Sequence, residues 1–89
     1  MPQLNKSIKE EFLKSLGKNV KRIRMEQKLT QKELASKING EVYKISRIER
    51  GQYNFGISST LILAQALNVK FNELLDIEDL DYFINNIWE

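Results

Sequence analysis

The side chains best suited to chemistry lie in the run VYKISRIER, residues 42–50. At about 100° per residue, Tyr43, Ser46, Arg47 and Arg50 share one side of a helix and Ile45 and Ile48 take the other. A phenol, a hydroxyl and two guanidinium groups make a cationic, hydrogen-bonding face suited to an anionic partner, while the isoleucines hold its back against protein. Other chemistry lacks its residues. With no Cys and no His, a thiolate nucleophile, a disulfide and the usual zinc or imidazole sites are excluded. No nucleophile–base pair or metal-ligand cluster can be assembled, so an enzyme, a cofactor and a metal are not expected. Asp76, Glu78, Asp79 and Asp81 are close in sequence but lack the Gly and closing Glu of an EF-hand loop, and read as acids at a helix N-terminus.

A face of this kind works only if other elements fix it, and 89 residues allow one modest core and hence one domain, 1–89. Four Gly and one Pro argue against a turn-rich β fold and for helices. Ser7 and Glu10 have capping-box spacing, and Ile8, Phe12, Leu16, Val20 and Ile23 follow at helical steps, which predicts a first helix over 8–27 with a possible break at Gly17. A second box, Thr30 to Glu33, starts a short helix with Leu34, Ala35 and Ile38 inward, closed by Asn39-Gly40. The reader segment comes next and stops at Gly51. After a loop over 52–56, the nearly all-apolar run 58–67 is expected to be the most buried helix. A short helix over 71–75 and a last one over 79–88 complete the chain. Charge is divided along it: residues 1–40 carry ten Lys/Arg and four Glu, residues 53–89 one Lys and six Asp/Glu. The basic half can face a polyanion while the acidic half faces away.

The ordered blocks LGKNVKRIR, LTQKELASKI, KISRIERG and LILAQALNVKFNELL, over 16–75, resemble the phage-repressor-like (XRE) helix-turn-helix family. The resemblance implies an all-α, five-helix domain with a core of about 8–75, here with an additional C-terminal helix in an acidic and apolar extension, 76–89. It implies a sequence-specific regulator of transcription, a repressor in the first instance, that places helix 42–50 in the major groove of duplex DNA. The base-reading positions fall on Val42, Tyr43 and Arg47, with Lys44 and Arg50 nearer the sugar-phosphate backbone; the helical face described above selects Tyr43, Arg47 and Arg50 without reference to the family. Arg47 has the fork to bind guanine O6 and N7 together, and Val42 can meet a thymine methyl. Gln31 matches the family's phosphate-binding position at a helix N-terminus. Gln52, Tyr53 and Asn54 are further backbone candidates in the loop. Arg24 and Glu49 match a structural ion pair. Two positions depart from the pattern: Glu41 stands where Ser or Thr usually caps the reader helix, and Gly40 replaces an aliphatic residue.

The C-terminal stripe Leu80, Phe83, Ile84, Ile87 and Trp88 lies beyond the family core and must be covered. One fate is packing on its own monomer. The other is a homodimer interface that sets two reader helices about 34 Å apart on a pseudo-palindromic operator. An alternative role is an antitoxin or restriction-modification controller that also grips a protein partner, such as a toxin, through this stripe. With no apolar run long enough for a membrane span and no signal peptide, a cytoplasmic location is expected.

Overall fold

The computed structural model describes residues 2–54 and 56–89; Met1, and Phe55 of the loop expected over 52–56, lie outside the described residues. Among these the chain is all-helical, with six helices: α1 (Lys6–Glu26), α2 (Gln31–Lys37), α3 (Val42–Glu49), α4 (Ile57–Ala66), α5 (Phe71–Leu74) and α6 (Leu80–Asn86). A single isolated bridge pairs Leu4 with Trp88. The core gathers Leu16, Val20 and Ile23 of α1, Leu34 and Ala35 of α2, Ile45 and Ile48 of α3, Leu63 and Ala64 of α4, then Leu67 and Leu74. Each large aliphatic side chain so buried contributes about 1.5–3 kcal/mol. This packing is what holds the short helices α2 and α3, because isolated helices of that length are marginal in water.

α1 runs unbroken through Gly17, and the reason is packing. A Cβ there would collide with the carbonyl oxygen of Ile48 and come within 2.7 Å of that of Glu49. The glycine therefore lets the end of α3 lie directly on α1, at a cost in helix propensity of about 1 kcal/mol. Gly51 has the same role at the next turn. Its φ is +73°, and a Cβ would stand 2.7 Å from the backbone of Lys14, so the chain leaving α3 is pressed against α1.

The second capping box forms as the spacing predicts: Glu33 N–H donates to Thr30 Oγ1 at 3.0 Å and Thr30 N–H to the Glu33 carboxylate at 2.9 Å. The bond from the Thr30 backbone, followed by the Thr30 side chain, holds the Glu33 carboxyl below its ordinary range. That capping contribution is present above the unfolded carboxylate value and lost as pH falls through the lowered folded value. The first box does not form. Asn5 is the N-cap of α1, its Oδ1 accepting from Ile8 N–H at 3.3 Å. Tertiary contacts set this start, since Asn5 N–H donates to the Ile87 carbonyl at 2.7 Å and Glu89 N–H to that of Gln3 at 2.8 Å.

One further expectation is corrected. α4 is not the most buried helix: it buries Thr60, Leu63 and Ala64, while Ile57, Leu61 and Ile62 are 69%, 56% and 51% exposed. The C-terminal segment folds back on its own chain through Phe83, which is buried edge-on against Phe12 with ring centroids 6.0 Å apart. Of the two fates open to the C-terminal stripe, Phe83 takes the first, packing on its own monomer.

Candidate nucleic-acid interface

α2 and α3 are joined by the turn 38–41, in which Asn39 takes a left-handed φ of +56°. Gly40 N–H then returns to the Ala35 carbonyl at 2.9 Å, closing α2. Glu41 occupies the N-cap of α3 with no side-chain capping bond, so its exposed carboxylate acts on the helix dipole only. Ile45 and Ile48 are buried beneath α3. The opposite side carries Tyr43 and Arg50, exposed, with Ser46 and Arg47 half-buried, and Val42 and Lys44 stand exposed on its flanks. The reader face thus stands outward on a fixed back.

Arg47 is tethered. One Nη2–H donates to the Gln52 carbonyl at 3.1 Å, and the guanidinium carbon lies 5.7 Å from the centre of the Tyr53 ring. Lys44 Nζ stands 5.5 Å from the same ring. Tyr53 is half-buried and packs on the core, so it is a platform under two cations, and its hydroxyl is the polar group left to meet a ligand. Four of the five guanidinium N–H groups of Arg47 are free of that bond. Arg50 is less restrained, with Nε donating to the Ser46 carbonyl at 3.3 Å.

Beneath the face lies a charged network. Arg24 Nε donates to Glu49 Oε2 at 2.6 Å, Arg24 Nη2 to Glu49 Oε1 at 3.1 Å and Arg24 Nη1 to the Leu29 carbonyl at 2.7 Å. Both charged side chains are buried. Gln31 joins them, its Nε2 donating to Glu49 Oε1 at 3.0 Å. This fixes the orientation of Gln31 at the start of α2 and leaves its second N–H and its carbonyl for an outside partner.

Residues 20–74 match the helix-turn-helix family model HTH_3. The chain belongs to this family. It is similar to the immunity repressor protein of Bacillus phage phi105, at 36% identity over 66 residues, covering 74% of this chain and 46% of that repressor. The chain thus spans about half the length of that curated relative. Among solved structures it is similar to the restriction-modification controller protein C.AhdI of Aeromonas hydrophila, at 31% identity and a TM-score of 0.68, covering 70% of this chain and 94% of that one. It is likewise similar to the controller protein C.Esp1396I, solved as a tetramer with its natural 35 base-pair operator, at 30% identity and a TM-score of 0.67, covering 85% and 93%. As a member of the helix-turn-helix family, the chain carries over residues 20–74 the DNA-binding domain of that family.

Within the helix-turn-helix frame, Gln52 and Asn54 line a cleft of about 330 Å³ shared with Lys6, Lys9, Glu10 and Leu13 of α1. The two lysines were not singled out from the sequence, because nothing local links the first turn of α1 to the loop after α3. The contact of Gly51 with Lys14 brings them together. The platform role of Tyr53 was also missed; a tyrosine six residues beyond an arginine gives no local signal. No helix among the described residues is long and apolar enough to cross a membrane.

Proposed function

We propose that this helix-turn-helix protein is a sequence-specific repressor that inserts α3 into the major groove, where Val42, Tyr43 and Arg47 meet base edges. The outward stance of Tyr43, 56% exposed above the buried Ile45 and Ile48, carries this reading. Gln31, Lys44, Arg50, Gln52, Tyr53 and Asn54 contact the sugar-phosphate backbone, supplemented by Lys6 and Lys9, and the chain 1–89 acts as one DNA-binding domain in the cytoplasm. Phosphate contacts set register and base contacts set sequence. Selection of bound duplexes from a random pool is expected to return a pseudo-palindrome with half-sites about one helical turn apart, bound with an affinity that falls steeply with salt. A pool that shows no enrichment sinks the reading.

The same reading needs two copies, and charge favours α4 as the surface that joins them. In a two-fold interface the same patch of both copies meets itself, so a surface of one charge repels its partner. Residues 51–69 contain no Asp, Glu, Lys or Arg, and α4 within them presents Ile57, Leu61 and Ile62 to solvent. The acidic C-terminal segment is poorly suited to that symmetry. The operator-bound tetramer of C.Esp1396I supports assembly in this family. Leu61→Glu is expected to turn a dimer into a monomer in sedimentation equilibrium at roughly 10 μM, about the scale of a modest interface. Wild-type protein that sediments as a monomer there contradicts the assignment.

A further inference from the structure

The first half of α1 and the whole of α6 lie outside the matched residues 20–74, yet they hold each other. Asn5, the N-cap of α1, donates to the Ile87 carbonyl, Glu89 N–H donates to that of Gln3, and Leu4 bridges to Trp88. Phe83 lies edge-on to Phe12. The main core cluster reaches α1 only from Leu16 on, with Phe12 packed at its edge, and the buried Ile8 and Phe83 stand apart from it. The opening turns of α1 are therefore fixed by the C-terminal segment. Their own sequence opposes them: Lys6 is the first residue of the helix and its first turn holds no acid, so cations sit at the positive end of the helix dipole. A start of this kind depends on its bonds to the other end of the chain.

The cations of α1 fall into two sets. Lys14, Lys18 and Arg22 line clefts shared with Asp76, Glu78 and Asp79, so the acidic segment before α6 offsets them. Lys6 and Lys9 are exposed on the side of Gln52 and Asn54, in the cleft where Glu10 is the single acid. Among the described residues the ion pairs are Arg22–Glu26 and Arg24–Glu49, and neither lysine enters one. We propose, on the DNA-binding reading above, that α6 is a brace: by fixing the start of α1 it holds Lys6 and Lys9 as a phosphate clamp outside the family motif. A strand that meets Gln52 and Asn54 also passes the two ammonium groups in the same cleft, and duplex DNA carries a charge about every 1.7 Å of axis for them to meet. Phosphate contacts carry no sequence information, so the clamp adds affinity and salt dependence and leaves base preference to α3. Lys6 and Lys9 touch DNA; Phe83 and Phe12 are positioning residues.

The test is the affinity of the full chain for its selected operator and for random duplex, each measured across a range of salt. Lys6→Ala combined with Lys9→Ala is expected to lower the slope of log affinity against log salt by about two units, near 0.9 for each phosphate, with the ratio of operator to random binding unchanged. Both lysines are exposed, so this variant keeps its fold. Phe83→Ala is expected to lose a similar part of the slope, and removing the lysine pair in that background to change it little further. Phe83→Leu keeps an apolar contact with Phe12 and restores most of the slope. Partial unfolding gives a different signature: it scales both affinities by one factor and leaves the slope alone. Glu10→Gln, which removes the acid of the cleft, is expected to raise affinity for both duplexes alike. The brace is overturned if the lysine pair or Phe83→Ala keeps the wild-type slope, or if the two losses add in full, while the wild type prefers its operator. A wild type without that preference sinks the DNA-binding reading, and the brace with it.

Discussion

Arg24→Ala is expected to destabilise the protein by about 3–5 kcal/mol, the cost of leaving a buried charge without its partner. The expectation rests on what remains after truncation. Glu49 stays in the interior with the single Gln31 donor in place of three, and the Leu29 carbonyl loses the Arg24 bond. The exposed pair between Arg22 and Glu26, N to O 2.8 Å, gives the contrast. Glu26→Ala removes it in water and is expected to cost no more than about 0.5 kcal/mol. Urea denaturation of the two variants checks the difference, and equal midpoints would show that the buried pair does not hold α1 to α3. The double variant Arg24→Met with Glu49→Leu removes both charges together, so it is expected to recover most of the loss. It also takes away the carboxylate that orients Gln31, and its DNA affinity is expected to stay below wild type although the fold returns. Stability and binding thus part at Gln31.

How far the sequence could be read followed from where each feature is encoded. The Thr30–Glu33 box, the left-handed Asn39 and the stop at Gly51 depend on four or five consecutive residues, and all appear where their local chemistry puts them. The Arg24–Glu49 pair was legible only through the family resemblance, because its partners are twenty-five residues apart. The start of α1 was misread for a related reason: Ser7 and Glu10 have capping spacing, but backbone bonds to the other end of the chain fix the turn two residues earlier, at Asn5. α4 was misread because a run apolar on all sides does not say which side is covered. A chain of this size buries one face of the helix, and Leu63 and Ala64 take it, leaving Leu61 and Ile62 outside. The tether on Arg47 belongs to the same class. Nothing before position 52 announces that a carbonyl and a ring will meet its guanidinium.

That tether bears on the largest effect expected at the reader face. Arg47→Ala should reduce the preference for the selected operator over random duplex by about 1–3 kcal/mol, roughly fivefold to 150-fold, if the guanidinium donates to two acceptors of one guanine. The bond to Gln52 is exposed, so its loss contributes little to stability, and the variant should unfold near the wild-type midpoint. Arg47→Lys separates charge from shape: it keeps the positive charge and the salt dependence but has no planar fork, so preference should fall while affinity for random DNA is retained. Two neighbours provide the opposite pattern. Lys44→Ala should lower the slope of log affinity against log salt by about one unit, and Gln31→Ala should weaken all sequences alike. Equal losses on operator and random DNA for Arg47→Ala would remove it from the base-reading set and make it a phosphate contact held over the Tyr53 ring. The Gln52 bond and the Tyr53 ring fix the base of the guanidinium, so a bidentate contact orders fewer side-chain rotations on binding. Tyr53→Ala, which frees that base, should then weaken operator binding in the same direction as Arg47→Ala and by a smaller factor.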